Sequence, residues 1–376
     1  MALTLTSLSD LARLPFDMLI DARSPSEYAE DHLPGAVSLP VLDDEERARV
    51  GTIYTRVSPF TARKIGAALV ARNVAKHLEG PLAGMDGGWR PLVYCWRGGQ
   101  RSGSFATILA QVGWRTDTIA GGYKAWRALV VQRLQDRPVG APVIVLDGNT
   151  GSAKTEVLNL LPDRGVQVID LEGLANHRGS LFGQRAGGQP SQKAFEGRLA
   201  LALEALDPGR PVVVEAESSR IGNLSLPKQL WQEMRRSPRL RIVAPRPVRA
   251  AYLARAYRDL TADAALVADT IGLLRPLQPR ERIEQWLEMA RQGAFEALAG
   301  ELMEHHYDPR YEAHRARMAS GAGAEIHAGS LAEAEIGALA DRVAAAVDRL
   351  CKDRDGRKPP DATPRPDQVP GPVGGP

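Results

Sequence analysis

One short segment limits this chain to a small set of folds. The apolar residues Leu92, Val93 and Tyr94 run into Cys95, two glycines follow, and a helix-like pattern begins near Ser102. A strand, a tight loop and a helix in this order place the loop at the carboxyl end of a strand in a parallel sheet. The expected fold class is therefore α/β.

The same segment places positive charge around the cysteine. Loop N–H groups and the amino end of the following helix favour a thiolate, whose ordinary pKa of about 8.5 falls in such a setting. A buried cysteine that only fills space is the alternative, but the glycines and arginines favour Cys95 as a nucleophile. The candidate active-site loop consists of Trp96, Arg97, Gly98, Gly99, Arg101 and Ser102.

Composition excludes several classes of protein. The 376 residues, 44% hydrophobic and 25% charged, suit a globular protein of two domains. No apolar run reaches the roughly 18 residues of a membrane span, and the first residues lack a signal-peptide pattern, so we expect a cytoplasmic protein with no membrane partner. The only cysteines are Cys95 and Cys351, which excludes a disulfide framework and a cysteine-rich zinc site; no metal site is predicted. The net charge of +3 permits an anionic partner without requiring one.

A second strand–loop–helix segment lies near the middle of the chain. The apolar strand Val143–Leu146 leads into DGNTGSAKT (147–155) and a helical stretch. In such a P-loop, amides and the helix dipole hold phosphate oxygens, Lys154 neutralises charge and Thr155 can hold Mg²⁺. Ala153 stands where the pattern has its last glycine. The predicted phosphate-binding residues are Gly148, Asn149, Thr150, Gly151, Ser152, Lys154 and Thr155.

Later strands supply acidic and polar candidates. Segments 166–170 and 211–215 each predict a buried strand that ends in an acid. Glu215 is the first candidate for an acid facing the P-loop and Glu217 the second, although either could lie in a solvated loop. Glycine-rich polar segments directly after a strand are typical of active-site loops. They add Asp170, His177 and Arg178, of which the last two are expected to contact anions or to order the loop.

A basic stretch and two further segments complete the pattern. From Arg235 to Arg258 there are eight arginines and no acid. A solvated rim would explain them, and so would a face that follows a phosphate backbone. Residues 280–304 predict one long amphipathic helix. We expect one domain over 1–138, a second over 139–351 and a disordered tail over 352–376.

The first domain resembles a rhodanese domain. The resemblance lies in DARSPSEY (21–28), HLPGA (32–36), the cysteine loop and GGYKAW (121–126), which follow one another in the family's order. Arg101 stands one position further from the cysteine than in the usual sulfurtransferase loop. The longer loop is similar to that of rhodanese-like phosphatases, and it argues against a simple thiosulfate sulfurtransferase.

Both halves together resemble the bacterial tRNA 2-selenouridine synthases, above all in the P-loop and in DLEGLANHRGSLFG (170–183). The resemblance implies a rhodanese-like parallel-sheet domain followed by a P-loop NTPase-like one. It also implies conversion of wobble 2-thiouridine in tRNA to 2-selenouridine, through S-geranylation by geranyl diphosphate and selenium transfer from selenophosphate. In this family Cys95 would be the required cysteine, and no tightly bound cofactor is expected, with Mg²⁺ possible. The candidate tRNA contacts are Arg235, Arg236, Arg239 and Arg241.

Two other classes of function stay open at the level of sequence. One is a rhodanese-fused, P-loop kinase or ATPase, which would turn over ATP without tRNA. The other is a non-catalytic RNA-binding module, which would bind tRNA without needing Cys95. The P-loop ligand is likewise open among geranyl diphosphate, selenophosphate and a nucleotide. Neither the oligomeric state nor the set of tRNAs follows from the sequence.

Overall fold

Parallel sheets organise both halves of the chain, as predicted. The computed structural model describes residues 1–317 and 323–355. The strands of the first sheet are β1 (Ala2–Leu3), β2 (Met18–Asp21), β3 (Ala36–Ser38), β4 (Pro91–Tyr94) and β5 (Asp117–Ile119). They lie in the order β1–β5–β4–β2–β3, and each neighbouring pair is parallel.

Helices cover this first sheet. They are a 3₁₀ turn (Leu8–Arg13), α1 (Pro25–Glu30), α2 (Asp44–Arg56), α3 (Pro59–Glu79), α4 (Gln100–Val112) and α5 (Gly122–Gln135). The pair α2 and α3 fills the long connection between β3 and β4. Ser58 caps α3 by accepting the N–H of Thr61, and Pro59 takes the first helical position, where a missing N–H costs nothing.

The second sheet repeats the parallel arrangement. Its strands are β6 (Val143–Gly148), β7 (Gln167–Ile169), β8 (Val212–Glu215), β11 (Arg239–Val243) and β12 (Gly323–His327). Their order is β12–β11–β6–β8–β7, all parallel. Every residue of β6 is buried, which explains its unbroken apolar run. A short antiparallel ribbon of β9 (Arg220–Ile221) and β10 (Leu224–Ser225) lies outside this sheet.

Many helices surround the second sheet. They are α6 (Lys154–Leu160), α7 (Leu171–Leu174), α8 (Gln192–Glu204), α9 (Lys228–Arg236), α10 (Arg246–Ala256), α11 (Arg258–Thr261), α12 (Ala264–Gly272), α13 (Arg280–Arg291), α14 (Phe295–Leu302), α15 (Asp308–Arg317) and α16 (Glu333–Asp355). Short 3₁₀ and π segments span Pro162–Arg164 and Met303–Tyr307.

Two predicted boundaries are wrong. The single helix expected over 280–304 is interrupted between α13 and α14, because Gly293 takes a left-handed backbone conformation with φ +69°. The first residues of the tail expected over 352–376 are helical, since α16 continues to Asp355. The rest of the predicted tail, 356–376, lies outside the described residues. Among the described residues, no helix is long and apolar enough to cross a membrane.

One hydrophobic cluster passes through both halves. It joins Tyr123 and Trp126 of α5 to Phe195 and Leu199 of α8, all of which are nearly fully buried. The side chain of Arg133 on α5 reinforces the contact through an ion pair of 3.0 Å with Glu204 and hydrogen bonds to three backbone carbonyls. The two sheets are therefore fixed against each other by a shared core.

Candidate active site

The cysteine loop is buried at its start and exposed at its tip. Cys95 follows β4 directly and is 3% exposed, whereas Arg97 and Gly99 face solvent. The Cys95 Sγ accepts a hydrogen bond of 3.2 Å from the hydroxyl of Ser102. Ser102 lies in the first turn of α4, so the amino end of this helix adjoins the sulfur, as the sequence predicted.

Hydrogen bonds and charge around the cysteine favour its thiolate. Burial alone would raise the pKa of Cys95, but the side chain and backbone of Ser102 and the charge of Arg101 outweigh burial and lower the pKa. Arg101 also forms a two-pronged ion pair with Glu27 of α1, at 2.6 and 3.2 Å. Part of its charge is therefore balanced by α1.

Two glycine turns lock the loop in place. Gly98 and Gly122 both have positive φ, of +65° and +54°. A Cβ on Gly122 would overlap the carbonyl oxygen of Cys95, and a Cβ on Gly98 would overlap that of Ile119. The backbone N–H of Tyr123 donates to the Cys95 carbonyl at 2.8 Å. The close approach explains why both turns need glycine.

A buried ionic network holds the strand that carries the loop. The Arg23 guanidinium donates to the Asp21 carboxylate at 2.6 Å, and both side chains are buried. The Tyr94 hydroxyl donates to Asp21 at 2.7 Å, and the guanidinium lies 4.1 Å from the ring centroid of Tyr123. These contacts tie the end of β2 to the residue before Cys95 and to α5.

The P-loop wraps around a charged lysine. Lys154 begins α6, and its Nζ donates to the Gly148 carbonyl at 2.8 Å. Burial would lower the pKa of Lys154, but Tyr311, Glu172 and other acidic groups outweigh burial and raise the pKa. The ammonium group therefore keeps its charge and can face an anion.

Ala153 preserves the backbone path of the glycine that it replaces. Its φ of 60° and ψ of 24° are left-handed, a conformation that costs an alanine about 1 kcal/mol. The methyl group packs into the core beneath the loop. The departure from the usual pattern thus leaves the shape of the P-loop intact.

A buried ion pair clamps the outer part of the P-loop. Arg249 of α10 forms a two-pronged pair with Asp308 of α15, at 3.0 and 2.7 Å. The same guanidinium donates to the Thr150 carbonyl at 3.0 Å, and the Asn149 amide donates to Asp308 at 2.8 Å. This arginine of the basic stretch is therefore structural.

The acid in contact with Thr155 of the P-loop is Glu172, which was not among the sequence candidates. The Thr155 hydroxyl donates to its carboxylate at 2.7 Å. Glu172 is buried and lies on α7 directly after β7. A hydroxyl and a carboxylate are oxygen donors that Mg²⁺ prefers, so these two side chains fit such an ion. The sequence contains a signal for this residue, because Glu172 follows a predicted strand by a few residues, where active-site side chains are common.

The two predicted acids occupy different places. Glu215 is fully buried and accepts the N–H of Leu171 at 2.9 Å, and burial with the nearby Asp170 and Glu172 raises its pKa. It orders the start of α7, not the P-loop. Burial and the charge of Glu172 raise the pKa of Glu217 to about 8, while Lys154 opposes the rise.

The polar segment after β7 orders itself and lines the site. Asp170 caps α7 by accepting the N–H of Gly173 at 2.6 Å. His177 accepts the N–H of Gly179 at 3.1 Å, and its pKa is lowered by burial and nearby arginines. Arg178 pairs with Asp259 at 2.6 Å and borders the P-loop pocket. The expectation that His177 and Arg178 order the loop agrees with these contacts.

The four arginines predicted to contact tRNA lie on two different elements. These residues are Arg235, Arg236, Arg239 and Arg241. The first two are exposed at the carboxyl end of α9. The other two lie on β11 and pair with Asp147 at 3.3 Å and with Glu325 at 3.1 Å. Whether any of them contacts tRNA stays a prediction.

Three cavities meet at the P-loop. The P-loop pocket, of about 300 Å³, is lined by residues 150–156, Glu172, Tyr257 and Tyr311. A narrow apolar crevice of about 70 Å³ shares Thr150, Ser180, Leu253 and Tyr257 with it. A cleft of about 1000 Å³ shares Ser180, Arg185 and Tyr311 with it. The site can thus receive a phosphate group, an apolar group and a larger polar partner side by side.

Comparison with known proteins identifies both halves. The family model of the tRNA 2-selenouridine synthase AAA domain matches residues 141–333, and the rhodanese-like domain model matches residues 4–129. The tRNA 2-selenouridine synthase of Aeromonas salmonicida is 39% identical over 254 residues, which cover 66% of this chain and 67% of the relative. That of Cupriavidus pinatubonensis is 40% identical over 228 residues, which cover 58% of this chain and 60% of the relative.

The matched stretch covers about three-fifths to two-thirds of these relatives. Among solved structures, the N-terminal domain of a putative ATP/GTP binding protein from Clostridium difficile 630 is 29% identical and covers 35% of this chain and 99% of that one. Its TM-score of 0.31 is too low to support an argument. The family models and the curated relatives together show that this chain belongs to the tRNA 2-selenouridine synthase family of enzymes.

Proposed function

We propose that this protein converts wobble 2-thiouridine in tRNA to 2-selenouridine in two steps, in the cytoplasm. In the first step, geranyl diphosphate places a geranyl group on the sulfur. In the second, selenophosphate supplies selenium and the geranylated sulfur leaves. The names of the relatives support the modification of tRNA. The P-loop region supports the use of a prenyl diphosphate.

One observation carries the geranyl step, namely the apolar crevice that shares lining residues with the P-loop pocket. Its walls include Phe182, Leu260, Val267, Phe295 and Leu298. A phosphate cradle beside an apolar crevice suits a ligand with an anionic head and a hydrocarbon tail. The crevice, of about 70 Å³, would receive part of the geranyl chain. A nucleotide would place a polar sugar and base beyond its phosphates, and the crevice offers these groups few partners.

The residues of the P-loop suffice for the first step. The sulfur of 2-thiouridine attacks the first carbon of the geranyl group, a C–S bond forms, and the C–O bond to diphosphate breaks. Diphosphate leaves with the electron pair, and the base loses its N3 proton to water. The charge of Lys154 and the loop N–H groups stabilise the leaving diphosphate. Thr155 and Glu172 would hold Mg²⁺, which would supply further charge neutralisation.

Cys95 is assigned to the second step. The loop around it has the length of a loop that receives a tetrahedral phosphate-type group. Attack of the Cys95 thiolate on phosphorus forms an S–P bond and breaks the P–Se bond, and selenium leaves with the electron pair. Selenium then attacks carbon 2 of the base, and sulfur departs with the geranyl group. Water later cleaves the S–P bond to release phosphate. The lowered pKa of Cys95 favours the reactive thiolate.

The first test replaces the P-loop lysine. Lys154→Ala should lower the rate of geranylation of 2-thiouridine tRNA by at least about 100-fold, because the leaving diphosphate loses its nearest positive charge. Geranylated tRNA made beforehand should still be selenated. Lys228→Ala, which removes an exposed lysine on α9, should behave like the wild type. Normal geranylation by Lys154→Ala, or a requirement for added ATP, would favour the kinase or ATPase alternative.

The second test replaces the loop cysteine. Cys95→Ser should abolish 2-selenouridine and leave geranylation largely intact, because only the selenium step uses the thiolate. Cys351→Ser is the control and should retain both steps. Mass spectrometry of the wobble nucleosides measures 2-thiouridine, its geranylated form and 2-selenouridine. Full selenation by Cys95→Ser would reject the assignment of Cys95 to selenium transfer. If the wild type and all variants bind tRNA but modify none, the RNA-binding module is favoured.

A further inference from the structure

We propose that the cleft of about 1000 Å³ beside the P-loop pocket binds the single-stranded RNA nucleotide whose base is modified. The inference rests on the proposed function and assigns the acceptor a place within it. It differs from the expectation that the arginines of α9 and β11 form the principal RNA contact. Of those four arginines, only Arg239 lines the cleft.

Reaction geometry limits where the acceptor can lie. Transfer from a diphosphate in the P-loop requires the attacking sulfur within about 3–3.5 Å of the reacting carbon. The acceptor must therefore enter from a space that adjoins the P-loop pocket. Of the two spaces that do, the crevice is narrow and apolar, while the cleft is large and lined by both polar and apolar groups. A base that reacts must also leave its stack, and the cleft has room for such a nucleotide.

Three arginine side chains line the cleft and could contact RNA phosphates. Arg310 and Arg315 come from α15, and Arg239 comes from β11. Arg315 and Arg239 lie 3.9 and 3.3 Å from the Asp147 carboxylate. Arg310 is exposed and makes no ion pair with the described residues. The guanidinium of Arg310 is therefore available to a phosphate group.

Buried polar atoms on the cleft wall lack hydrogen-bond partners within the described part of the chain. They are His306 Nδ1 and the terminal nitrogen of Arg315 that lies 3.9 Å from the Asp147 carboxylate. His306 is 4% exposed, and burial together with Arg310 lowers its pKa to about 4, so the ring is neutral. Unpartnered buried polar groups are costly, so a polar ligand in the neighbouring cleft is a reason to retain them. The π-helical turn Met303–Tyr307 carries the histidine.

Tyr311 stands where the cleft meets the P-loop pocket. Its ring centroid lies 5.9 Å from the Lys154 ammonium, and it lines both spaces. Unpaired bases commonly stack on aromatic side chains. A base stacked on Tyr311 would lie beside the phosphate cradle, which is where the acceptor sulfur must be.

The experiment measures binding of an anticodon stem-loop RNA, with 2-thiouridine at the wobble position, by fluorescence anisotropy. Tyr311→Ala should weaken binding about tenfold for this RNA, and it should have little effect on the same RNA with an abasic wobble position. Tyr311→Phe should restore the affinity, because the ring is kept. Geranyl diphosphate binding to each variant checks that the P-loop is intact.

A charge variant tests the phosphate contact. Arg310→Gln should weaken binding several-fold and reduce the salt slope by roughly 0.7. Arg198→Gln, an equal charge change at an exposed position of α8 outside the cleft, should leave both values unchanged. The cleft assignment fails if the wild type selenates tRNA while Tyr311→Ala and Arg310→Gln bind normally. The proposed function itself fails if the wild type neither binds the RNA nor modifies it.

Discussion

Glu172 and Glu217 place two carboxyl groups beside the P-loop lysine. The raised pKa of Glu217, about 8, means that near pH 7 it holds a proton. This proton removes a negative charge from beside Lys154. Protonation of Glu217 thus reduces the charge repulsion that a bound diphosphate would meet. Glu172 remains in contact with Thr155.

This proton makes stability depend on pH. Glu217 has a folded pKa of about 8, above its ordinary value of 4.5, so its contribution to stability is full below about pH 4.5 and is lost as pH rises through 8. The free energy of unfolding should fall across this range by at most about 1.4 kcal/mol per pH unit. In Glu217→Gln this fall should be largely absent. Urea unfolding of both proteins at several pH values measures the free energy of unfolding. If it falls with pH equally in the wild type and in Glu217→Gln, the pKa of Glu217 is not raised.

Local motifs explain which site residues could be predicted. Lys154 and Thr155 follow from the P-loop pattern, and Cys95 follows from a strand-end loop with glycines, because such chemistry depends on contiguous residues. The contact of Glu172 with Thr155 depends on the position of α7, which follows β7, two strands away from β6 in the sheet, so its place after a strand end marks a candidate but not its partner. Glu215 could be predicted as buried at a strand end, but its partner, the Leu171 N–H, could not.

At the scale of elements, the cysteine loop depends on the turn that begins α5. Gly122→Ala would force a methyl group into the Cys95 carbonyl and strain a backbone at φ +54°. We expect a loss of stability of at least about 2 kcal/mol and an altered rate of Cys95 alkylation. Gly35→Ala is the matched control, because its φ is +75° but no atom lies within 4 Å of the added Cβ. It should lose only about 1 kcal/mol and keep the alkylation rate. Equal losses in both variants would show that contact between the turns is unimportant.

Strands were easier to predict than helices in this chain. Apolar runs such as 143–146 and 211–215 correspond to buried parallel strands, because both faces of these sheets are covered. The helix predicted over 280–304 failed at Gly293, where a single left-handed residue ends one helix before the apolar pattern ends. Periodicity alone does not report such a stop.

At the scale of the whole molecule, the core shared by α5 and α8 should make the two halves unfold together. Phe195→Ala should lower the free energy of unfolding by about 3–5 kcal/mol, because Phe195 is fully buried in this cluster. Calorimetry should show one transition for the wild type and one, at lower temperature, for the variant. Two separated transitions, with only one of them shifted, would show that the halves are independent. The sequence predicted two domains, but the pairing of α5 with α8 could not be read from either pattern alone.

The shared core also bears on how such a protein can be divided. A cut between residues 138 and 139 would leave Trp126 and Tyr123 on one fragment and Phe195 and Leu199 on the other, each exposed to water. Large exposed apolar patches promote aggregation, so either fragment expressed alone should be poorly soluble. Co-expression of the two fragments should restore solubility if they reassemble. A gene for this enzyme would then tolerate being split only when both pieces are made together.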